Sequence, residues 1–332
     1  MVKQLQYITY SLLAALLMLG CSEESHTIAP EGEEYAISMT ASSADMNTSR
    51  ALITNIGELQ STALGVYAYK EVNSNKTMVF QNTILTYDET KGWDYSPKKY
   101  WDRAASSYYF IAYSPYDEGM KYDKENHQLT INNIPYWQSI GTDTKDYLVS
   151  KSSGSADYYL SPNNQGQSVN LNFSHILSQL VINIKKDANL SQTYLLKQVE
   201  YLNVPQGGDA KATYTLPQEG TATMSEITLL NTNATLTQFT DANGQAVEAT
   251  SNIPIPHLVV PFTLTNKQVQ VKVTYTVAGT QRIKTVNTQL SQLEAGKRYE
   301  LTLTFKGAEI VPSLEIKNWE EVPVDEDPKY NW

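Results

Sequence analysis

Cysteine occurs once in 332 residues, at Cys21. No disulfide can form within the chain, so the fold beyond that point rests on its hydrophobic cores, and a thiolate nucleophile or zinc-thiolate site is excluded there. Histidine is scarce as well: His26, His127, His175 and His257, none spaced with another as a metal-ligand pair. Cations are in deficit, 25 Lys and Arg against 35 Asp and Glu. The resulting net charge of −10 argues against a nucleic-acid partner, which needs a basic surface. After Gly20 no apolar run approaches the length of a membrane span. There is no Gly-x-Ser-x-Gly elbow, Gly-rich phosphate loop or Asp-rich calcium loop; Asp241-Ala242-Asn243-Gly244 is a plain turn lacking the later glutamate. The sequence therefore offers no catalytic residue, no metal site and no cofactor, and the expectation is a protein that is not an enzyme.

What is present begins at the N-terminus. Lys3 precedes a mostly apolar run, Leu12 to Gly20, too short to span a bilayer and ending in a small residue. Residues 1–20 read as a secretory signal peptide. Cys21 follows directly and cannot pair within its own chain, and its setting resembles the lipobox at which bacterial signal peptidase II cuts and a diacylglycerol is attached to sulfur. Met18 stands where that motif usually has Leu. Lipidation at Cys21 is thus expected, with the outer membrane as partner through the lipid, and Glu23 and Glu24 resemble the short acidic tags of surface-exported lipoproteins.

The 23 tyrosines, with Thr, Asn and Ser throughout, favour pleated, half-exposed surfaces. Period-2 alternation recurs: Val269, Val271, Val273, Tyr275 and Val277 interleave with polar residues, as do Tyr299, Leu301, Leu303 and Phe305. Further strands are expected at 64–69, 78–85, 108–113, 169–173, 180–184, 258–264 and 282–286, with only short helix candidates at 174–179 and 291–295. Many closely spaced strands with few helices point to an all-β chain of antiparallel sandwiches. The polar, turn-rich stretch Ser161 to Ser168 is the best boundary, giving sandwiches at 51–166 and 167–332 after a leader at 21–50. In that leader Tyr35, Ile37, Met39 and Ala41 share one face of a strand, and the small polar residues after it surround Arg50, the only arginine before Arg103, in a loop-like, protease-accessible setting.

Trp93, Tyr95, Tyr100, Trp101, Tyr136 and Trp137 suit either a sugar-stacking platform or sandwich cores, with cores the better fit. His175 and His257 adjoin strands and read as structural.

Several stretches in order resemble the fimbrillin family: Leu64-Gly65-Val66-Tyr67-Ala68-Tyr69, Tyr100-Trp101 leading to Tyr109-Phe110-Ile111-Ala112-Tyr113-Ser114-Pro115, Val169 to Leu180, Leu258-Val259-Val260-Pro261, Glu294 to Tyr299, and Ile316-Lys317-Asn318-Trp319. The resemblance implies two transthyretin-like antiparallel β-sandwich domains with Greek-key-type connections, in a lipoprotein precursor of a type V pilus. It implies a cut between Arg50 and Ala51 by an arginine-specific surface protease, with Tyr35 to Ala41 as the removable strand. The vacated groove would take a strand from another pilus subunit, a head-to-tail contact that makes a filament. The donor would lie at the C-terminus, where Leu314 and Ile316, then Val322 and Val324, keep one register interrupted by prolines. Adhesion to a host or bacterial surface ligand follows from the same resemblance. The alternative is a surface-anchored glycan-binding lipoprotein that does not polymerise.

Overall fold

The structure, a computed structural model, describes residues 35–43, 56–141, 143–154, 161, 167–205, 211–217, 220–224 and 235–319. Cys21, Arg50, Ala51, Val322 and Val324 lie outside the described residues. The strands in chain order are β1 (Met39–Ser43), β2 (Leu64–Val72), β3 (Asn75–Asp88), β4 (Gly92–Asp94), β5 (Ser107–Ser114), β6 (Lys121–Asp123), β7 (Gln128–Pro135), β8 (Trp137–Ser139), β9 (Leu148–Gly154), β10 (Val169–His175) and β11 (Ser178–Lys186). They continue with β12 (Tyr194–Leu202), β13 (Lys211–Pro217), β14 (Thr223–Met224), β15 (Thr235–Ala246), β16 (Ile253–Val259), β17 (Phe262–Thr263), β18 (Gln270–Val277), β19 (Thr280–Asn287), β20 (Gln292–Leu293), β21 (Lys297–Lys306) and β22 (Glu309–Asn318). Among the described residues one short helix, α1 (Ile56–Gln60), inserts the fully buried Leu59.

Each expected strand is present, usually longer by a few residues than its apolar core. The helix candidates fail. Residues 174–179 are the end of β10 and the start of β11, and 291–295 carry β20; apolar residues at a tight strand connection had imitated helical spacing. The expected strand at 258–264 splits into β16 and β17 around Pro261, which has no amide to give a ladder.

Two sandwiches result. In the first, a seven-stranded sheet ordered β1-β10-β9-β5-β2-β3-β4 faces a four-stranded sheet ordered β14-β13-β7-β6. Tyr67, Ile111, Tyr113, Leu129, Ile131 and Tyr214 pack between them. In the second, β22-β21-β11-β16-β8 faces β15-β12-β18-β19, with Ile182, Val199, Val271, Val273, Leu301 and Leu303 inside. Alternation explains the faces: in β10 the residues from Val169 to His175 alternate buried and exposed, as a strand with one wet side should. Strand β5 is buried on both faces, because Ile111 and Tyr113 meet the second sheet while Tyr108 and Phe110 enter an aromatic cluster on the other side.

Among the described residues two pairings are parallel, β1 with β10 and β11 with β21. The sandwiches also trade strands across the polar stretch at 161–168. Strand β10, which follows that stretch, belongs to the first sandwich; β8, which precedes it, pairs with β16 of the second; and β13 returns to pair with β7. The main chain crosses from one sandwich to the other at His175–Ser178, and the residues from Ala36 onward form one compact unit.

Candidate functional site

The leader strand is the least ordinary element of the first sandwich. Along one side β1 lies parallel to β10 in the register Met39↔Val169, Ala41↔Leu171 and Ser43↔Phe173. Just before it, the Val169 amide donates to the Ser38 carbonyl at 2.8 Å. On its other side the chain meets the segment after β4: the Ile37 amide donates to the Lys99 carbonyl at 2.8 Å, and Ala36 bridges Tyr100. Residues 36–43 thus sit at one edge of the seven-stranded sheet and reach across to the chain leaving its other edge.

The expected removable strand is located as follows. Ile37 and Met39 are buried, at 1% and 3% exposure, and Ala41 is half-buried in β1. Tyr35 is in no strand. The strand begins later than the apolar alternation because Ile37 is held from the Lys99 side instead of within the β10 ladder.

The seat is aromatic. The Tyr95 hydroxyl donates to the Ile37 carbonyl at 2.6 Å, and its ring meets Phe80 edge-on at 5.0 Å. Trp101 meets Tyr108 edge-on at 4.6 Å, and Phe110 stands 6.2 Å from Phe80, Trp101 and Tyr108. Burial pushes the Tyr95 phenol up to about 12, so it stays a donor across the physiological range. Outside this layer Lys98 pairs with Asp94 and lies over the Tyr95 ring at 4.8 Å, while Lys70 pairs with Asp102 at 2.6 Å and its hydrogen bond holds that carboxyl below its ordinary range.

At the other end of β10 the chain's late residues come back. Asp146 Oδ1 is 3.1 Å from His175 Nδ1, both side chains being almost fully buried. The Trp319 indole stacks on the imidazole at 4.1 Å and 4°. Trp319 donates its amide to the Gly296 carbonyl, and Gly296 donates to the Leu177 carbonyl, at 2.8 and 2.9 Å. This joint ties the exit of β22 to the crossing between the sandwiches. Nothing in the sequence announced it beyond His175 beside the apolar Ile176-Leu177 and a single Trp319 among polar residues, since its members are far apart in the chain.

The proposed donor residues Leu314 and Ile316 occupy β22, opposite Leu301 and Tyr299 of β21 in the same chain. Leu314 is half-buried and Ile316 is 55% exposed. Pro312 fits because β22 is the edge of its sheet. The aromatic residues weighed as a sugar platform do not converge: Tyr95 and Trp101 are buried, Trp93 meets Tyr87, and Trp137 packs against Tyr201 and Phe262 in the other sandwich. His127 sits in the β6–β7 turn at φ +53° and stacks on Tyr69. Among the described residues no group of three or more His, Cys, Asp or Glu is placed to hold a metal, and no helix is long and apolar enough to cross a membrane.

The leader thus lies between two chain segments over an aromatic layer, at the edge of an all-β scaffold. Residues 27–319 match the fimbrillin-like family model, and the chain belongs to that family. No curated protein matches it. Among solved structures, a protein of Bacteroides uniformis described as a candidate for cell adhesion aligns at 21% identity with a TM-score of 0.53, over 88% of this chain and 99% of its own. A fimbrial protein of Bacteroides vulgatus aligns at 16% identity with a TM-score of 0.51, over 86% of this chain and 99% of its own. These likenesses confirm the fold read from the sequence.

Proposed function

We propose that the chain is the precursor of a structural, non-catalytic subunit of a cell-surface pilus that assembles by strand exchange and contributes to adhesion. The observation that carries this reading is the seating of residues 36–43: two buried side chains, hydrogen bonds to β10 on one side and to the Tyr95–Tyr100 segment on the other. Removing such a strand leaves unpaired backbone groups and an apolar slot, which an extended segment of another subunit satisfies with alternate side chains. Cys21 holds the precursor at the outer membrane through its lipid. An arginine-specific protease cuts between Arg50 and Ala51, downstream of the seated strand, and so frees it.

Because β22 is already paired and Trp319 is stacked in the joint, the donor in this reading is the segment after Trp319, with Val322 and Val324 as its inward residues. Leu314 and Ile316 then belong to the subunit's own last strand. The glycan-binding reading based on the aromatic residues has no observation in its favour.

The test is N-terminal and intact-mass analysis of protein sheared from cells, with Arg50→Ala beside the native chain. Native chains that begin at Ala51 and run as denaturant-resistant assemblies, with Arg50→Ala uncut and monomeric, are expected. Native chains that begin at acylated Cys21 and remain monomeric would sink the reading.

A further inference from the structure

A cleft of about 590 Å³ opens at one end of the second sandwich, between the end of β12, the β17–β18 turn and the segment after β19. Its lining is unusual in carrying five carboxamides: Asn203, Asn266, Gln268, Gln270 and Asn287. Ser291 adds a hydroxyl, Lys267 is the lone charged residue, and Leu264 the lone apolar one. From this composition we propose that the cleft is a binding site for a neutral, hydroxyl-rich saccharide.

The chemistry is that of paired donors and acceptors. Each carboxamide offers two N–H donors and a carbonyl, which suits vicinal hydroxyls that both give and receive hydrogen bonds. Although the chain carries a net charge of −10, this lining holds no carboxylate, the acceptor-only group that would favour a cationic ligand. A single ammonium and the absence of an arginine fork make the lining a poor match for a phosphate or carboxylate ligand. With Leu264 as its only apolar contact, the cleft gains little from burying an apolar ligand.

Three of the five carboxamides, Asn203, Gln270 and Asn287, are also held in place. Asn203 Nδ2 donates to the Gln268 backbone carbonyl at 3.1 Å, and Gln270 Nε2 donates to Asn287 Oδ1 at 2.6 Å. The backbone beneath is knitted by Leu264 N–H to the Ser291 carbonyl at 2.7 Å, Val269 N–H to the Leu290 carbonyl at 2.8 Å, and Thr288 Oγ1 to the Val269 carbonyl at 2.6 Å. Asn203 and Asn266 adopt φ of +57° and +55°, a region in which asparagine is among the best tolerated side chains. Preorganised polar groups lose less freedom on binding. An affinity near 1 mM is expected for one sugar ring in so polar a site. This site does not depend on polymerisation, but repetition along a filament, which rests on the function proposed above, would multiply such weak contacts into avidity.

The test is saturation-transfer NMR on the purified protein with galactose, mannose and N-acetylglucosamine, and with glucuronate as the acidic counterpart. Binding of a neutral sugar that is insensitive to salt is expected, weakened about tenfold in the double variant Gln268→Ala with Asn287→Ala. Both side chains are exposed, so circular dichroism should show the fold intact, and the milder Asn287→Asp should weaken binding as well. No sugar contact at millimolar sugar, binding of glucuronate alone, or undiminished binding in the double variant would overturn the proposal. Assembly measured on the same variants is expected to be unchanged, which separates this failure from failure of the pilus reading.

Discussion

Truncating the two buried leader side chains should release the strand without unfolding the sandwich. Ile37 and Met39 are almost wholly buried, and cutting such residues to alanine typically costs about 3 kcal/mol each. The cost should fall on the local opening of residues 36–43 and not on the global transition, because β1 is an edge strand whose departure leaves the other sheet pairings in place. Three kcal/mol is a factor of about 150 in an equilibrium. Ile37→Ala should therefore speed hydrogen exchange roughly a hundredfold at the amides of Ile37 and Val169, which are bonded to Lys99 and Ser38. Adding Met39→Ala should gain about a further tenfold or more, neighbouring sites being imperfectly additive. The reference is the Ile182 amide in β11 of the second sandwich, whose exchange should stay unchanged. The assay is exchange on the uncleaved chain read at residue resolution. If Ile182 accelerated together with Val169, the leader would be an integral part of one cooperative fold. If neither changed, these two side chains would not be what seats it. Either result refutes the argument for a separable strand.

Gly65 faces Tyr113 across β2 and β5, and a Cβ there would meet the tyrosine ring at 2.3 Å. Since Tyr113 is fixed by hydrogen bonds to Asn82 and to the Asp117 carbonyl, Gly65→Ala should cost about 2–3 kcal/mol and lower Tm by roughly 5–10 °C in a thermal scan. Trp319→Ala should cost about 3–5 kcal/mol by emptying its place on His175, seen as a lower urea midpoint with unchanged slope; Trp319→Phe should recover much of it. His257, pushed down to about 4 by burial, stays neutral in the fold while the unfolded chain takes up a proton below about pH 6.5. Stability should consequently fall as pH drops from 6.5 toward 4, by about 1.4 kcal/mol per unit and about 3 in all. His257→Leu should remove that component when urea unfolding at pH 7 and pH 4.5 is compared with the native chain.

Period-2 alternation located the strands because burial on one face of a sheet is written directly into neighbouring residues, as in Val271, Val273 and Tyr275. It also found Ile37 and Met39. What it could not show was partnership. The pairing of Met39 with Val169, the reach of Ile37 to Lys99 and the stack of Trp319 on His175 join residues far apart in sequence, and each partner looks locally like any other strand or turn residue. The same limit hid where β10 belongs: it follows the polar stretch at 161–168 in sequence, yet finds its ladder in the first sheet. The aromatic residues suited cores better than a sugar platform, and Trp101 and Trp137 do pack against other rings, although neither residue alone says which ring it meets. The carboxamide cleft had no sequence signal at all, its members being drawn from strand ends and connections far apart in the chain.

Strand β10 links these features. Its first part, Val169 to Phe173, carries the leader in a parallel ladder, which is slightly weaker per residue than an antiparallel one. Its last residues pair antiparallel with β9 and then enter the joint of Asp146, His175 and Trp319. A strand that loses its edge neighbour stays in position only if something else holds it. Here the hold lies at the C-terminal end, where Ile176 donates to the Tyr147 carbonyl and Ser178 begins β11 at the centre of the five-stranded sheet. The leader is thus bound to a strand whose far end runs into the second sandwich. In the exchange proposed above, Val169 to Phe173 would be the stretch left without its ladder partner, tethered at Ser174 and His175 by their pairing with β9.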